Sequence, residues 1–537
     1  MVSFPIFSRI IVPLRLPTAT SLFLRLLLII SLVNCSEALA KDYPVNSQKK
    51  AQERLDIAQP GDRIIIQNGT YYDFTLKVSR SGTSTKYIGI KAQTNGKVKF
   101  KGKSGFMVTG NRVKIEGFVF DDVRNMNGDN RVVYFNGSDN SILTDCAFYK
   151  CGNNYRRHII LMGNSSKNNQ IRYNYLEDIR GQGIGVIGES SNSGNRIFRN
   201  RINGTTNDND FNGQEPIQIG QSSDQFGNYL NTKVEYNRIE NMTDADMADS
   251  ELISSKTSGN KIRYNTTLYN SPRMGIVLRG GNDCEVRGNY QLGDGIRAYG
   301  RGHKITSNYS KNARYGIRLP GGDGGGYSDT RDCLIEYNLV INSSRSGIRI
   351  GDVGANDGGN RISDIIIYKN RVKTNGGTMY VQEYSNSSGI NWATGSNEGS
   401  GNATLTKNIP SRKIKKVSNI STSNPAAAKL EWYEVGPRWF HTSSRTASET
   451  KKMPESESIV ANSAFRAYPN PTTETLLIEG VGQYDVTLYT LSGRAVLQQK
   501  EVEGDITLDV SEVRPGMYII KLVSDEQPEL RRRIIIQ

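Results

Sequence analysis

The sequence predicts an all-β molecule, a right-handed single-stranded parallel β-helix followed by a small C-terminal β-sandwich. Three observations predict it. An Asn recurs between short hydrophobic strands, at Asn174, Asn200, Asn237, Asn265, Asn289, Asn308, Asn338 and Asn370, at intervals of 19 to 37 residues. A Gly-Ile pair keeps step with it at Gly183-Ile184, Gly275-Ile276, Gly295-Ile296, Gly316-Ile317 and Gly347-Ile348, and two series at one coarse period mark a coiled repeat. Composition agrees, since 54 Gly, 27 Tyr and only 36% hydrophobic residues in a chain of 537 suit short strands and many turns better than helices.

Taken in order, residues 1–40 read as an export signal. Arg9, Arg15 and Arg25 precede or enter the apolar run from Leu26 to Val33, and Ala38-Leu39-Ala40 offers a small-residue cleavage site. No later stretch approaches the roughly 20 apolar residues of a membrane span. Residues 41–410 carry the repeat, with alternating strands such as Lys114 to Phe120 and Ile365 to Tyr368 and almost nothing of helical period. Asn is expected at the turns, in left-handed geometry, laddering with the Asn above and below. The spacing of Cys146, Cys151, Cys284 and Cys333 matches neither a zinc module nor a disulfide framework, so buried free thiols are expected. Residues 411–462 read as end-cap and linker, with the aromatic patch Trp432-Tyr433 to Trp439-Phe440 expected over the open end of the helix. Residues 463–537 alternate as a small β-sandwich, with strands around Leu476 to Ile478, Tyr484 to Tyr489, Ala495 to Leu497, Ile506 to Val510, Met517 to Val523 and Arg533 to Ile536.

Charge narrows the partner. The chain carries +15 in all, yet its last 75 residues hold more acidic than basic side chains, so the excess lies in the repeat region. A basic domain favours a polyanion, nucleic acid or acidic polysaccharide. Export removes the nucleic acid.

In a coiled repeat, residues one period apart stack about 4.7 to 4.9 Å apart on one face, which turns spacing into geometry. Asp249 and Glu251 share a face, Lys256 follows after a change of parity, Arg279 lies one coil further on, and Asn212 with Glu215 lies one coil earlier. Three neighbouring coils then gather carboxylates, an amide, a Lys and an Arg. Such a cluster suits β-elimination beside a uronate, where removing a weakly acidic C5 proton needs the substrate carboxylate neutralised, the enolate-like state stabilised and a base at hand. Oxygen ligands of this kind suit Ca²⁺. Lys256 would act in its uncharged form. A lone Asp-x-Glu or Lys is ordinarily just solvated surface, so the grouping carries the signal. His158, His303 and His441 read as structural.

Arg297, Arg318 and Arg349 follow Gly-Ile in successive coils, at the position of Val277 in the coil that holds Arg279. By alternation they share one outward face, a basic row suited to binding successive carboxylates or sulfates.

Two resemblances follow from these residues. Asp249 to Lys256, Arg263-Tyr264-Asn265-Thr266 and Leu278-Arg279-Gly280-Gly281-Asn282, with Pro60-Gly61-Asp62, Asn68-Gly69-Thr70-Tyr71 and Ile115-Glu116-Gly117-Phe118 upstream, resemble polysaccharide lyase family 6, the alginate lyases and chondroitinase B. That resemblance implies Lys256 as general base, Arg279 as general acid or its support, and Asn212, Glu215, Asp249 and Glu251 as Ca²⁺ ligands. It implies alginate as first substrate and dermatan or chondroitin sulfate as second. Three departures stand out: Asp249 where Glu is usual, Gly280 where His commonly follows the Arg, and two extra residues between Lys256 and Arg279. They leave room for an alternative, a glycan-binding or adhesive surface β-helix without catalysis. Tyr468-Pro469-Asn470-Pro471, Leu488-Tyr489 with Ser492-Gly493-Arg494, and Pro515-Gly516-Met517-Tyr518 resemble the C-terminal sorting domain of type IX secretion cargo. This implies the secretion machinery as partner, and a destination outside the cell or on its surface.

Overall fold

The computed structural model describes residues 40–440 and 466–536, apart from 125–130, 153–157, 206–214, 243–250, 271–273, 294, 322–327, 352–361, 384–387, 424–425, 469–471, 480–482, 491–494, 504–505 and 525–526. The expected export signal, Asn212, Asp249 and His441 lie outside the described residues. The chain divides into two units, 1–444 and 445–537, described separately.

The larger unit is a parallel β-helix. Each coil lays one strand in a first sheet, turns, lays one in a second sheet and then one in a third, so every strand pairs with its counterpart one coil away. The first two sheets hold 14 strands each and the third holds 13. Alternation sends Ile, Val, Leu and Phe inward, and the stacked coils bury one continuous core. Phe120 and Phe148, one coil apart, stack face to face at 4.8 Å. Each such ring removes from water enough apolar surface to contribute about 1.5 to 3 kcal/mol. The four thiols are free and buried, as expected, and burial pushes Cys151, Cys284 and Cys333 up to about 12, which keeps them unreactive.

The Asn repeat closes the corner between the first and second sheets. From Asn200 on, each side-chain oxygen accepts the backbone N–H of the Asn one coil before it, Asn174 at the start accepts Cys146 N, and each amide nitrogen donates to a carbonyl of the preceding coil. Asn265 Oδ1 takes Asn237 N at 3.0 Å, and Asn265 Nδ2 reaches Val234 O at 2.9 Å. The run continues through Asn397, which the repeat in the sequence had not included. One expectation is corrected: the left-handed residue is the one before each Asn, at Tyr173, Arg199, Tyr236, Tyr264, Ser307, Tyr337 and Lys369. The bend there turns the Asn side chain inward, where its amide can serve buried backbone groups.

An α-helix, α1 (Gln48–Ile57), lies at the N-terminal end, with Ser47 Oγ accepting Lys50 N and with Ala51 and Leu55 buried in the core. The sequence reading missed it, because three apolar residues in ten, of which only Ala51 and Leu55 are buried, give little period. The aromatic patch also lies elsewhere than expected. After its last strand (Ile414–Lys416) the chain runs back along the outer face of the second sheet. Leu430 N donates to Thr266 Oγ1 at 2.8 Å, Arg199 Nη1 donates to Glu434 O at 2.9 Å, and Trp439 and Phe440 pack against Tyr149 and Tyr175. The cause is local. That face carries apolar Val119, Ala147 and Tyr175, and beside them is a buried Asp145 that needs a cation. Arg438 supplies it at 2.7 Å. Burial alone would push the Asp145 carboxyl up, but Arg438 holds it below the usual range.

The smaller unit is antiparallel, with a three-stranded and a four-stranded sheet around Leu476, Ile478, Val486, Leu488, Leu508 and Ile520. Its strands fall where the alternation put them, with Arg466–Tyr468 in addition. Among the described residues no helix is long and apolar enough to cross a membrane.

Candidate active site

Six consecutive strands of the third sheet build the site: β1 (Ile217–Ile219), β2 (Ile253–Ser255), β3 (Ile276–Leu278), β4 (Ile296–Ala298), β5 (Tyr315–Leu319) and β6 (Ser346–Ile350). Their register places Gln218, Ser254, Val277, Arg297, Arg318 and Arg349 opposite one another in turn, so the three arginines do form one outward row.

Lys256 follows β2 and Arg279 follows β3. Ser255 is opposite Leu278, Lys256 N donates to Ile219 O at 2.7 Å, and Arg279 N donates to Ser255 O at 2.8 Å. The ladder thus runs one residue past the strands and sets Lys256 and Arg279 on adjacent coils. Gly220 stands before Lys256 in the preceding coil with φ +81, and a Cβ there would meet Thr257 Cγ2 at 2.7 Å. The half-buried Lys256 sends its Nζ to Gln221 O, 3.3 Å away.

At the other end of the strands, Glu215 and Glu251 each stand two residues before β1 and β2, which pair from Ile217 to Ile253. Both are buried, at 2% and 1% exposure. Gln182 Nε2 donates to Glu215 Oε2 at 2.8 Å. Glu251 Oε1 receives Arg297 Nη2 at 2.9 Å, with Arg279 Nη1 at 3.8 Å. Glu251 Oε2 is buried without a hydrogen-bond partner among the described residues. Burial raises the Glu251 pKa above the usual carboxylate range; Arg297 opposes this, and the neighbouring Glu215 adds to it. An orphaned carboxylate oxygen beside a second carboxylate is a donor set that a hard cation would satisfy.

The arginine row is not a bare ladder of like charge. Arg297 is paired to Glu251, Arg349 lies 3.5 Å from Glu383, and the guanidiniums of Arg318 and Arg349 lie over the Tyr315 ring at 5.0 and 5.7 Å. These partners offset the like-charge repulsion along the row.

At Gly280 the ring of Phe226 packs onto the backbone, and a Cβ would meet it at 2.3 Å. Phe226 comes from the turn at Ser223–Gln225, which Ser258 Oγ fastens by donating to Phe226 O at 2.6 Å. Sequence reasoning missed Phe226, Gln221 and Gln182. Gln182 was within reach, since it directly precedes Gly183-Ile184 and lies one coil before Glu215; Phe226 sits on an irregular turn with no period to reveal it. His303 is structural as expected, its Nδ1 accepting Cys284 N and its Nε2 meeting Tyr299 O at 2.7 Å, and burial pushes it down to about 4.

The family model for chondroitinase B matches residues 45–373. This chain belongs to the chondroitinase B family. A secretion system C-terminal sorting domain matches residues 466–537, which marks the protein as exported or held at the cell surface. The chain is 22% identical over 179 residues to an ulvan lyase of Nonlabens ulvanivorans, covering 31% of this chain and 34% of that protein. Among solved structures, the polysaccharide lyase family 6 alginate lyase AlyGC is 22% identical, with a TM-score of 0.60, covering 70% of this chain and 53% of that one. A mannuronic-acid-specific family 6 lyase from human gut microbiota is 20% identical, with a TM-score of 0.60, covering 75% of this chain and 97% of that one. The chain spans about a third of the ulvan lyase and about half of AlyGC. At these identities the likenesses carry the fold of the chondroitinase B family member, and its chemistry rests on its own residues.

Proposed function

We propose that this chondroitinase B family member is an exported lyase that cleaves an anionic, uronate-containing polysaccharide by β-elimination, with alginate as first substrate and dermatan or chondroitin sulfate as second. One observation carries the reading: Lys256 and Arg279 stand on adjacent coils at one end of the third-sheet strands, and Arg279 reaches back to within 3.8 Å of the buried Glu251 at the other end, beside a row of arginines in register.

In this reading Lys256 Nζ, uncharged, takes the C5 proton. The C5–H electron pair becomes the C4=C5 double bond, and the C4–O bond breaks toward the departing sugar. Arg279 would face that oxygen and stabilise its charge as it takes a proton from solvent water, a task suited to a fixed guanidinium. Arg318 and Arg349 hold the carboxylates of neighbouring sugars, and Arg297 orients Glu251. Ca²⁺ fits the donors named above: Asn212, Glu215, Asp249 and Glu251 would hold it, and when bound it would neutralise the uronate carboxylate. The names of the solved relatives, alginate lyases among them, favour alginate.

A second reading, a glycan-binding protein without catalysis, is favoured by the apolar Phe226 ring against Gly280 beside Arg279. Ultraviolet absorbance of the unsaturated product separates the two. Purified protein with Ca²⁺ should generate it from alginate or dermatan sulfate, chelator should suppress it, and Lys256→Ala should not generate it. Binding of both polymers with no absorbing product would establish the second reading instead.

A further inference from the structure

The row of left-handed residues before the Asn ladder runs Tyr236, Tyr264, Gly288, Ser307, Tyr337, Lys369, with φ between 47 and 63. Where tyrosines are adjacent they fill the row: the rings of Tyr236 and Tyr264 stack at 5.1 Å. The Tyr264 ring also closes over Gly288, where a Cβ would meet it at 2.6 Å. At Ser307 the row has only a hydroxymethyl group, and the space a ring would take stays open. The result is a depression of about 560 Å³, lined by Ser307, Tyr337, Lys369, Arg371, Glu398 and Ala426. Its size falls within the roughly 300 to 1,000 Å³ of small-ligand sites.

The chemistry of the lining is specific. Tyr337 is 45% exposed, so part of its ring surface is open to solvent. Lys369 Nζ lies 5.4 Å from the centre of that ring and donates to Tyr337 Oη at 3.3 Å, which fixes the ammonium at the edge of the aromatic surface. Among the described residues Arg371 has no ion-pair partner. Glu398, the one carboxylate in the lining, is shared with Lys415 at 3.5 Å. A flat ring accepts the C–H face of a pyranose, and cations at its margin accept a carboxylate or sulfate. An acidic peptide would use the cations and leave the ring face idle.

We propose that this depression is a second binding site, for a uronate segment of the same polymer. It rests on the proposed substrate class, but it lies at the corner between the first and second sheets, whereas the candidate catalytic residues belong to the third. It is therefore a separate grip on the polymer and not an extension of the groove. Two weak contacts on one chain raise its effective affinity without any new interaction at the catalytic residues.

Ser307→Tyr tests this without removing a charge, since the backbone at this turn already accepts Tyr at the next position of the row, Tyr337, and two positions back, at Tyr264. The full chain with Lys256→Ala, which binds without cutting, is run through native gels containing alginate or dermatan sulfate, alone and with Ser307→Tyr or with Tyr337→Ala and Arg371→Ala together. Filling or stripping the site should weaken retardation by about tenfold or more. In the chain with Lys256 intact, turnover of a uronate trisaccharide should change less than about twofold, as expected for a site a short substrate does not need. Retardation equal to that of the parent in both variants, or no retardation of the parent in either gel, overturns the proposal. Loss of retardation in the variants, together with no unsaturated product from the chain that keeps Lys256, would keep the second site and overturn the lyase reading.

Discussion

The corner between the first and second sheets and the face of the third are built from the same coils, and their polar groups are in opposite states. At the corner every Asn is buried and closed: Asn237, Asn265 and Asn289 each accept from the coil before and donate to carbonyls, so the ladder leaves no amide idle. At the third sheet Glu251 is as deeply buried, yet among the described residues one of its oxygens has no hydrogen-bond partner and its neighbour is another carboxylate. Satisfied burial stabilises a repeat; unsatisfied burial stores the capacity to bind a cation or substrate.

Four substitutions break or sharpen this contrast, from the largest effect to the smallest. Lys256→Ala should reduce product formation by about a thousandfold, as for loss of a positioned base, and leave the unfolding midpoint unchanged. Asn265→Ala should do the reverse. It strips Asn237 N and Val234 O of their partners and should cost about 3 kcal/mol, read from denaturant unfolding of the larger unit; a loss below about 1 kcal/mol would show that the corner is not the stabilising element. Arg438→Ala leaves Asp145 buried without its cation and should cost about 2 kcal/mol, less than for a fully buried pair because Arg438 is half exposed. Because Arg438 keeps the Asp145 pKa low, this pair's contribution is present above the ordinary carboxylate range and lost as pH falls through the lowered value. Glu251→Gln should add about 1 kcal/mol at neutral pH while abolishing activity. The sign follows from the raised pKa of Glu251: the folded state disfavours the carboxylate, so the gain should shrink as pH falls into the range where Glu251 is protonated anyway. A Glu251→Gln gain that is independent of pH would assign it to some other cause.

Much of the site was legible because a coiled repeat makes spacing equivalent to position. The opposition of Val277 to Arg297, and onward to Arg318 and Arg349, could be counted from the Gly-Ile series alone. Gln182 was open to the same count and was overlooked. Phe226 was not open to it, because it lies on the irregular turn between one strand of the third sheet and the next strand of the first, where chain length does not set direction. Helix α1 was missed for a related reason: one short element at the end of a solenoid repeats nothing.

The sequence by itself determined the coil, the Asn corner, the buried thiols, the arginine row and the separate antiparallel unit, since each is a local pattern or a period and neighbouring coils translate it into contact. Only the tertiary structure decided which partner each charge takes and where the returning tail lies. Arg438 reaches Asp145 across 293 residues, and Arg297 turns to Glu251 across 46, so no period relates the first pair and none reveals the direction of the second side chain. Those choices follow from the cost of leaving a buried carboxylate alone, a quantity that exists only once folding has buried it.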